Sequence, residues 1–153
     1  NLSSVAFSPD GRILATSGLG NEIGLWSLPE GRPIGTLSGH ETAVGSLSFI
    51  RGGRYLVSLG YEQAVRFWDT ETWRESRTIQ LDVSGVRGMA FSPDDEIASL
   101  SMEGKVQLRS VEEWELLAEL PISTKAVNGM AFSSDCQWLA VGAADGKIRI
   151  WER

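Results

Sequence analysis

Apolar and polar residues alternate along this chain in short stretches, and the same succession of stretches returns about every 42 residues. The first stretch of each copy runs up to a phenylalanine: Val5/Phe7, Leu47/Phe49, Met89/Phe91 and Met130/Phe132. After a turn comes a short apolar run: Ile13-Leu14-Ala15, Tyr55-Leu56-Val57, Ile97-Ala98, Trp138-Leu139-Ala140-Val141. A turn containing Gly or an acid leads to a third stretch that alternates again, Ile23/Leu25, Val65/Phe67, Val106/Leu108 and Ile148/Ile150. A weaker fourth follows at Ile34/Leu37, Arg77–Leu81 and Leu116–Leu120, and the last copy stops before reaching one. A period of two is the mark of a strand with one face buried. No stretch supports a helix of ordinary length. The pattern predicts fifteen short strands in units of four, the last unit lacking its outermost strand.

Fixed landmarks hold the copies in phase. Phe7, Phe49, Phe91 and Phe132 are spaced 42, 42 and 41 apart, and Trp26, Trp68 and Trp151 lie nineteen residues after the first, second and fourth. In the third copy the turn is one residue shorter and Arg109 falls in the Trp position. Ser8-Pro9-Asp10-Gly11 returns as Ser92-Pro93-Asp94-Asp95 and Ser133-Ser134-Asp135-Cys136. A period of this length signals a repeat architecture in which one supersecondary unit recurs. The 153 residues hold about 3.6 units, with approximate bounds 1–42, 43–84, 85–125 and 126–153.

These landmarks resemble those of the WD-repeat β-propeller family. The resemblance rests on Gly39-His40 ahead of copy two, Trp68-Asp69 at the end of its third strand, Asp145-Gly146-Lys147-Ile148-Arg149-Ile150-Trp151 in copy four, and the Ser-Pro-Asp turns. It implies an all-β chain of about four blades, each a sheet of four antiparallel strands, the last incomplete, forming part of a larger ring of seven or eight blades. It also implies a polar network within a blade. Copy two supplies His40, Ser58 and Trp68, with Glu62 standing where the family has Asp. Copy four supplies Asp145 and Trp151, but Val141 at the hydroxyl position and Ser123 where His would stand. Copy three has Ser99 and Glu103 but Arg109 for Trp, and copy one has Thr16 and Trp26 but Gly20 at the acid position. Apolar packing between blades is therefore expected to carry most of the stability.

Composition narrows the chemistry. Lys+Arg number 14 against 20 Asp+Glu, a net charge of −6, which lacks the basic footprint of a nucleic-acid binder and gains nothing from an anionic membrane. No apolar run approaches the ~20 residues of a membrane helix. One cysteine, Cys136, excludes an internal disulfide framework and a Cys-based metal cluster, and suits a reducing compartment. One histidine, His40, excludes a His-pair metal site within the chain. The expectation is a cytoplasmic protein with no cofactor and no metal. Asn1 opens the chain in place of Met, so the segment is expected to be a piece of a longer polypeptide.

The remaining residues of note have structural explanations. His40 is read as a network member and not as a general base. Asp10, Asp94 and Asp135 are expected to shape turns, a use that suits Asp. Trp73 and Trp114, five residues past the Trp position where the family usually has Gly, are expected to fold back over the sheets. Tyr61, Arg87, Met102 and Lys125 are the candidates for partner contacts, because the turns that carry them belong to the face this family most often uses. The function implied is a non-catalytic protein–protein interaction scaffold in a larger regulatory, signalling or assembly protein, binding a protein or peptide. The alternative is a propeller hydrolase or lyase with a site at the channel mouth. Since an open arc leaves an apolar blade face bare at each end, the missing blades are expected from the parent chain or from a second copy.

Overall fold

The computed structural model describes residues 2–122 and 126–153. It is all-β. The strands are β1 (Leu2–Phe7), β2 (Ile13–Gly18), β3 (Ile23–Ser27), β4 (Arg32–Leu37), β5 (Val44–Ile50), β6 (Tyr55–Gly60), β7 (Ala64–Asp69), β8 (Arg74–Gln80), β9 (Gly88–Phe91), β10 (Ile97–Met102), β11 (Lys105–Ser110), β12 (Leu116–Pro121), β13 (Val127–Phe132), β14 (Trp138–Ala143) and β15 (Ile148–Glu152). Each sheet is a simple antiparallel meander in chain order: β1–β4, β5–β8, β9–β12 and the three-stranded β13–β15. The chain divides into two compact units, Asn1–Val83 and Ser84–Arg153, with two sheets in each.

The four sheets are copies of one another down to register. Phe7, Phe49, Phe91 and Phe132 stand opposite Leu14, Leu56, Ala98 and Leu139, which in turn stand opposite Trp26, Trp68, Arg109 and Trp151. Arg109 thus occupies the place of the tryptophan. An irregularity lies just ahead of that residue in each pairing of third strand with fourth, between Leu25/Trp26, Phe67/Trp68 and Leu108/Arg109. A bulge re-aims the side chain beside it, so its repetition gives the three equivalent residues the same local setting. Pro33 and Pro121 fall in the outermost strands β4 and β12, where a missing backbone N–H removes no ladder bond on the open side.

The first turn of a copy is built by its serine and aspartate. Ser8 Oγ donates to Asp10 Oδ1 at 2.6 Å and accepts from the Ile13 N–H at 2.9 Å, while Asp10 Oδ1 also takes the Arg12 N–H at 3.0 Å. The same bonds recur around Ser92/Asp94 and Ser133/Asp135. Next in the chain come Gly11, Asp95 and Cys136, all left-handed with φ of 69°, 58° and 62°. The second copy departs here and turns through a short 3₁₀ segment, Arg51–Gly53. Trp73 and Trp114 are left-handed as well, φ 53° and 61°, at the place where Gly31 has φ 65°. A bulky L-residue costs roughly 1–2 kcal/mol there, and burial of the indoles opposes that cost: Trp114 is 6% exposed and Trp73 packs against the core of its unit.

Within the first unit one apolar cluster joins Ala15, Ile23, Leu25 and Leu37 of the first sheet to Val44, Leu47, Leu56 and Trp68 of the second. In the second unit Val106 and Ile122 join Leu139, Val141 and Ala143, with Met130, Phe132 and Trp151 packed alongside. These are sheet-on-sheet cores of interdigitating inner faces. The opposite face of the first sheet is bare: Val5 is 53% and Phe7 62% exposed. So is that of the fourth, where Ile148 and Ile150 are 74% and 63% exposed. Gly11 has open space where a Cβ would stand, which makes it a clean probe of the turn. Gly11→Ala is expected to lose about 1 kcal/mol in urea unfolding from backbone strain alone, while Gly35→Ala, in open space without a positive φ, is expected to be near neutral.

Candidate functional site

A connected group of polar side chains surrounds His40. The residue is 3% exposed. Its Nε2 lies 2.6 Å from Ser58 Oγ, and its Nδ1 contacts Glu62 Oε1. Trp68 Nε1 donates to the same Ser58 Oγ at 2.8 Å. The Glu62 carboxylate can only accept, so in the neutral ring Nδ1 carries the proton, Nε2 accepts the Ser58 hydroxyl proton, and Ser58 in turn accepts from the Trp68 indole. Thr42 Oγ1 donates to Glu62 Oε2 and accepts the Glu62 N–H at 2.8 Å, closing the far end. The order is Trp68, Ser58, His40, Glu62, Thr42, drawn from strands β6 and β7, the turn between them and the connection from β4 to β5. The glycine of Gly39-His40 has a steric reason: a Cβ there would stand 3.1 Å from the Trp68 ring and 3.3 Å from the Arg66 guanidinium.

Electrostatics follow from burial. Desolvation lowers the His40 pKa from its ordinary 6.5, with the Glu62 hydrogen bond opposing it. Burial raises Glu62, but hydrogen bonds from Thr42 and His40 outweigh that and hold it below 4.5. A serine, an imidazole and a carboxylate in this order have the composition of a hydrolytic triad. The geometry supplies no nucleophile: Ser58 is 0% exposed and its oxygen is already engaged by Trp68 and His40. Among the described residues no group of three His, Cys, Asp or Glu side chains is placed to hold a metal ion.

The other sheets build less. In the first, Trp26 Nε1 donates to Thr16 Oγ1 at 2.9 Å, and the glycine at Gly24 leaves room for that bond, a Cβ there falling 3.0 Å from Thr16 Oγ1. In the third, register places Leu100, not Ser99, at the hydroxyl position, since Leu100 pairs with Met89 and Gln107 as Ser58 pairs with Leu47 and Arg66. Ser99 lies one residue off, where a period of two puts it on the opposite face, and bonds the Ala90 carbonyl instead. Glu103 is exposed. Buried Arg109 replaces the indole: its Nε and one terminal nitrogen reach Gln107 Oε1 at 3.2 and 3.1 Å, the other reaches the Trp114 carbonyl at 3.1 Å, and Gln107 passes the chain to Glu119 at 2.8 Å. In the fourth, Asp145 turns to Arg149, with oxygens 2.7 and 3.2 Å from the guanidinium, and this bond draws its pKa down to about 2. Trp151 packs on its apolar neighbours; Val141 offers it no acceptor.

The four candidate contacts fare differently. Tyr61 is 49% exposed on the turn between β6 and β7, its ring lying over Gly45. Arg87 is exposed just before β9. Met102 is not a surface residue: it ends strand β10 and is 5% exposed, because the shorter turn of the third copy leaves it inside the sheet. Lys125 and Ser123 lie outside the described residues. Sequence reasoning passed over Thr42 and Gln107. Gln107 lies two residues before the substituted Trp position, a spacing that shares a side of strand β11, whereas Thr42 lies near His40 on an irregular connection.

Two outcomes test the network. Ser58→Ala strands two buried groups, the Trp68 N–H and His40 Nε2, and is expected to cost about 2–4 kcal/mol in urea unfolding; Thr16→Ala strands one half-buried N–H and is expected to cost about 1 kcal/mol. The second outcome is pH dependence. The unfolded chain protonates His40 more readily than the folded one, so stability falls as pH drops through 6.5, and it falls further as pH approaches the depressed Glu62 value. The melting temperature is expected to decline between pH 7.5 and 5.5, a window set by the unperturbed His value of about 6.5, and to be flatter there in His40→Gln.

Comparison with known proteins places this geometry. The family model described as WD domain, G-beta repeat matches residues 1–27, 31–69 and 114–152. The stretch between the second and third matches holds the copy with Arg109 and Leu100. The chain is 37% identical over 103 residues to Periodic tryptophan protein 2 homolog of Schizosaccharomyces pombe, covering 64% of this chain and 12% of that protein. It is 34% identical over 79 residues to Transducin beta-like protein 3 of Mus musculus, covering 50% and 10%. It is 33% identical over 81 residues to Probable cytosolic iron-sulfur protein assembly protein 1 of Malassezia globosa, covering 44% and 23%. The matches thus span 12%, 10% and 23% of these relatives' lengths. With repeats in register, a Trp68–Ser58–His40 relay and three matches covering more than half the chain, this polypeptide belongs to the WD-repeat family.

Proposed function

We propose that the chain is a non-catalytic scaffold for protein–protein interaction, a stretch of WD repeats acting within a larger assembly or regulatory protein of the cytoplasm. One observation carries this reading. Among the described residues, the constellation with the composition of a catalytic triad, Ser58–His40–Glu62, is buried and bonded to its own neighbours, while large side chains on the connecting turns stand in solvent. Leu19 is 69% and Tyr61 49% exposed, each on the turn between the second and third strands of its sheet. Loops carried on a rigid frame are where binding residues are placed, and Tyr and Arg are favoured at the centres of interfaces. The turns differ in sequence from copy to copy (Leu19-Gly20-Asn21, Tyr61-Glu62-Gln63, Met102-Glu103-Gly104, Ala144-Asp145-Gly146). That irregularity suits a protein or peptide surface better than a ligand pocket repeated in each copy. The relatives named for iron-sulfur protein assembly and as transducin beta-like proteins agree with a role in complexes, and the word cytosolic in one name agrees with the compartment.

Site-directed photo-cross-linking tests the reading. A benzophenone side chain at position 61 is expected to capture a defined partner in cells expressing the parent protein. The same group at Glu30, exposed on a turn at the other end of the first sheet, is expected to capture none. Equal labelling at both positions would contradict a localised binding face.

A further inference from the structure

In the first unit, the β2–β3 and β6–β7 turns, the connection from β4 to β5 and the segment after β8 lie at one end of the two sheets. Hydrogen bonds knit them together. Ser38 Oγ donates to Glu22 Oε1 at 3.1 Å, Asn21 Nδ2 to the His40 carbonyl at 3.0 Å, the Tyr61 N–H to the Ala43 carbonyl at 3.0 Å, and Gln80 Nε2 to the Glu62 carbonyl at 3.0 Å. These bonds make one continuous surface of four chain segments. Leu19 and Tyr61 stand out from it, 69% and 49% exposed. The Tyr61 ring is held in place. It lies over Gly45, the bulged residue at the start of β5, where a Cβ would fall 3.0 Å from a ring carbon. An anchor fixed before binding loses little freedom on contact.

Charge is divided between the two ends of these sheets. Residues 19–22, 38–43, 61–63 and 81–83 include Glu22, Glu41, Glu62 and Asp82 and no Lys or Arg. His40 is buried, and desolvation opposes its protonation. Arg12, Arg32, Arg51, Arg54 and Arg74 all fall on or beside the turns at the opposite end, among Asp10, Glu30, Asp69 and Glu71. The two arginines between the ends are engaged, Arg66 with Glu75 and Arg77 over the Phe67 ring. The end that presents Tyr61 and Leu19 is therefore the acidic one.

From this division we infer that the partner docking on these turns is a segment of another protein rich in Arg or Lys, with an apolar residue beside the cations. The inference rests on the scaffold reading and names the chemistry of its partner. A guanidinium over the Tyr61 face gains a cation–π contact. Glu22 and Glu41 offer carboxylates to neighbouring cations, and Leu19 receives the apolar neighbour. Complementary potentials orient such a segment and speed its encounter with the surface.

Fluorescence anisotropy of the purified protein with a labelled peptide of alternating Arg and Leu tests this, against the same peptide with Glu for Arg. The expected result is saturable binding of the first, weakened by added salt, and none of the second. Tyr61→Ala, and Glu22→Lys combined with Glu41→Lys, are each expected to weaken binding at least about tenfold, the loss typical of an interface anchor. Tyr61→Phe, which keeps the ring, and Glu30→Lys, at the opposite end, are expected to stay within about twofold. Each variant is compared at unchanged far-ultraviolet circular dichroism. No binding of the Arg peptide, equal binding of both peptides, or binding indifferent either to Tyr61→Ala or to the paired charge reversal would overturn the inference. So would an equal loss in Glu30→Lys, since that reports net charge alone. Capture from position 61 of a partner through a segment with no excess of Arg or Lys would overturn the inference and leave the scaffold reading standing.

Discussion

A β-sheet with two apolar faces is stable only when both are covered, and this requirement organises the chain. The gain comes from removing side-chain area from water, and it is proportional to the area removed. Each sheet here has such faces. Strands β6 and β10 are buried along nearly their whole length, every residue of β10 and five of the six of β6. In the equivalent second strands of the first and fourth sheets, β2 and β14, only two and three of the six residues are buried. The difference does not lie in residue type, since Ile148 and Ile150 are as apolar as Ile23 and Leu25. It lies in whether another sheet stands in front of them.

The polar network is secondary to that packing. It satisfies groups that burial would otherwise strand, and it takes a different form wherever one member changes. Ser58 serves two neighbours at once, Thr16 serves one, and Leu100 and Val141 serve none. Where Leu100 removes the hydroxyl, the Trp position holds Arg109, whose planar fork finds acceptors along its own strand and in the next turn. A guanidinium can be buried only if its donors are met, and Gln107 and the Trp114 carbonyl accept from it. The third copy has thus exchanged one internally satisfied arrangement for another without altering the register of its strands.

Much of this was legible in the sequence, for a definite reason. A period of two within strands and of about 42 between copies survives single substitutions, and the Phe, Trp and Ser-Pro-Asp landmarks fixed the phase well enough to place Arg109 at the Trp position. The failures fall where one residue of offset matters. Ser99 stood in for Ser58 because both are serines in the second strand, yet the shift of one turned it to the other face of the sheet. Met102 was placed in a turn because the third copy's loop is one residue shorter, a difference the strand absorbs. The return bonds of Thr42 to Glu62, and the clasp of Arg153 on Asp94 and Glu96, join residues that no periodicity links. They depend on where loops converge in the folded chain.

The most direct test of the account is a set of methyl and aromatic nuclear Overhauser contacts in solution, read separately within each unit. Stacked sheets predict contacts from Ile23 and Leu25 to Leu47 and Leu56, and from Val106 and Leu108 to Leu139 and Val141. They predict none from Ile23 or Leu25 to Val5 or Phe7, which lie on the opposite face of the same sheet. Contacts joining Ile23 or Leu25 to Val5 or Phe7, as a single sheet closed into a barrel would give, contradict it.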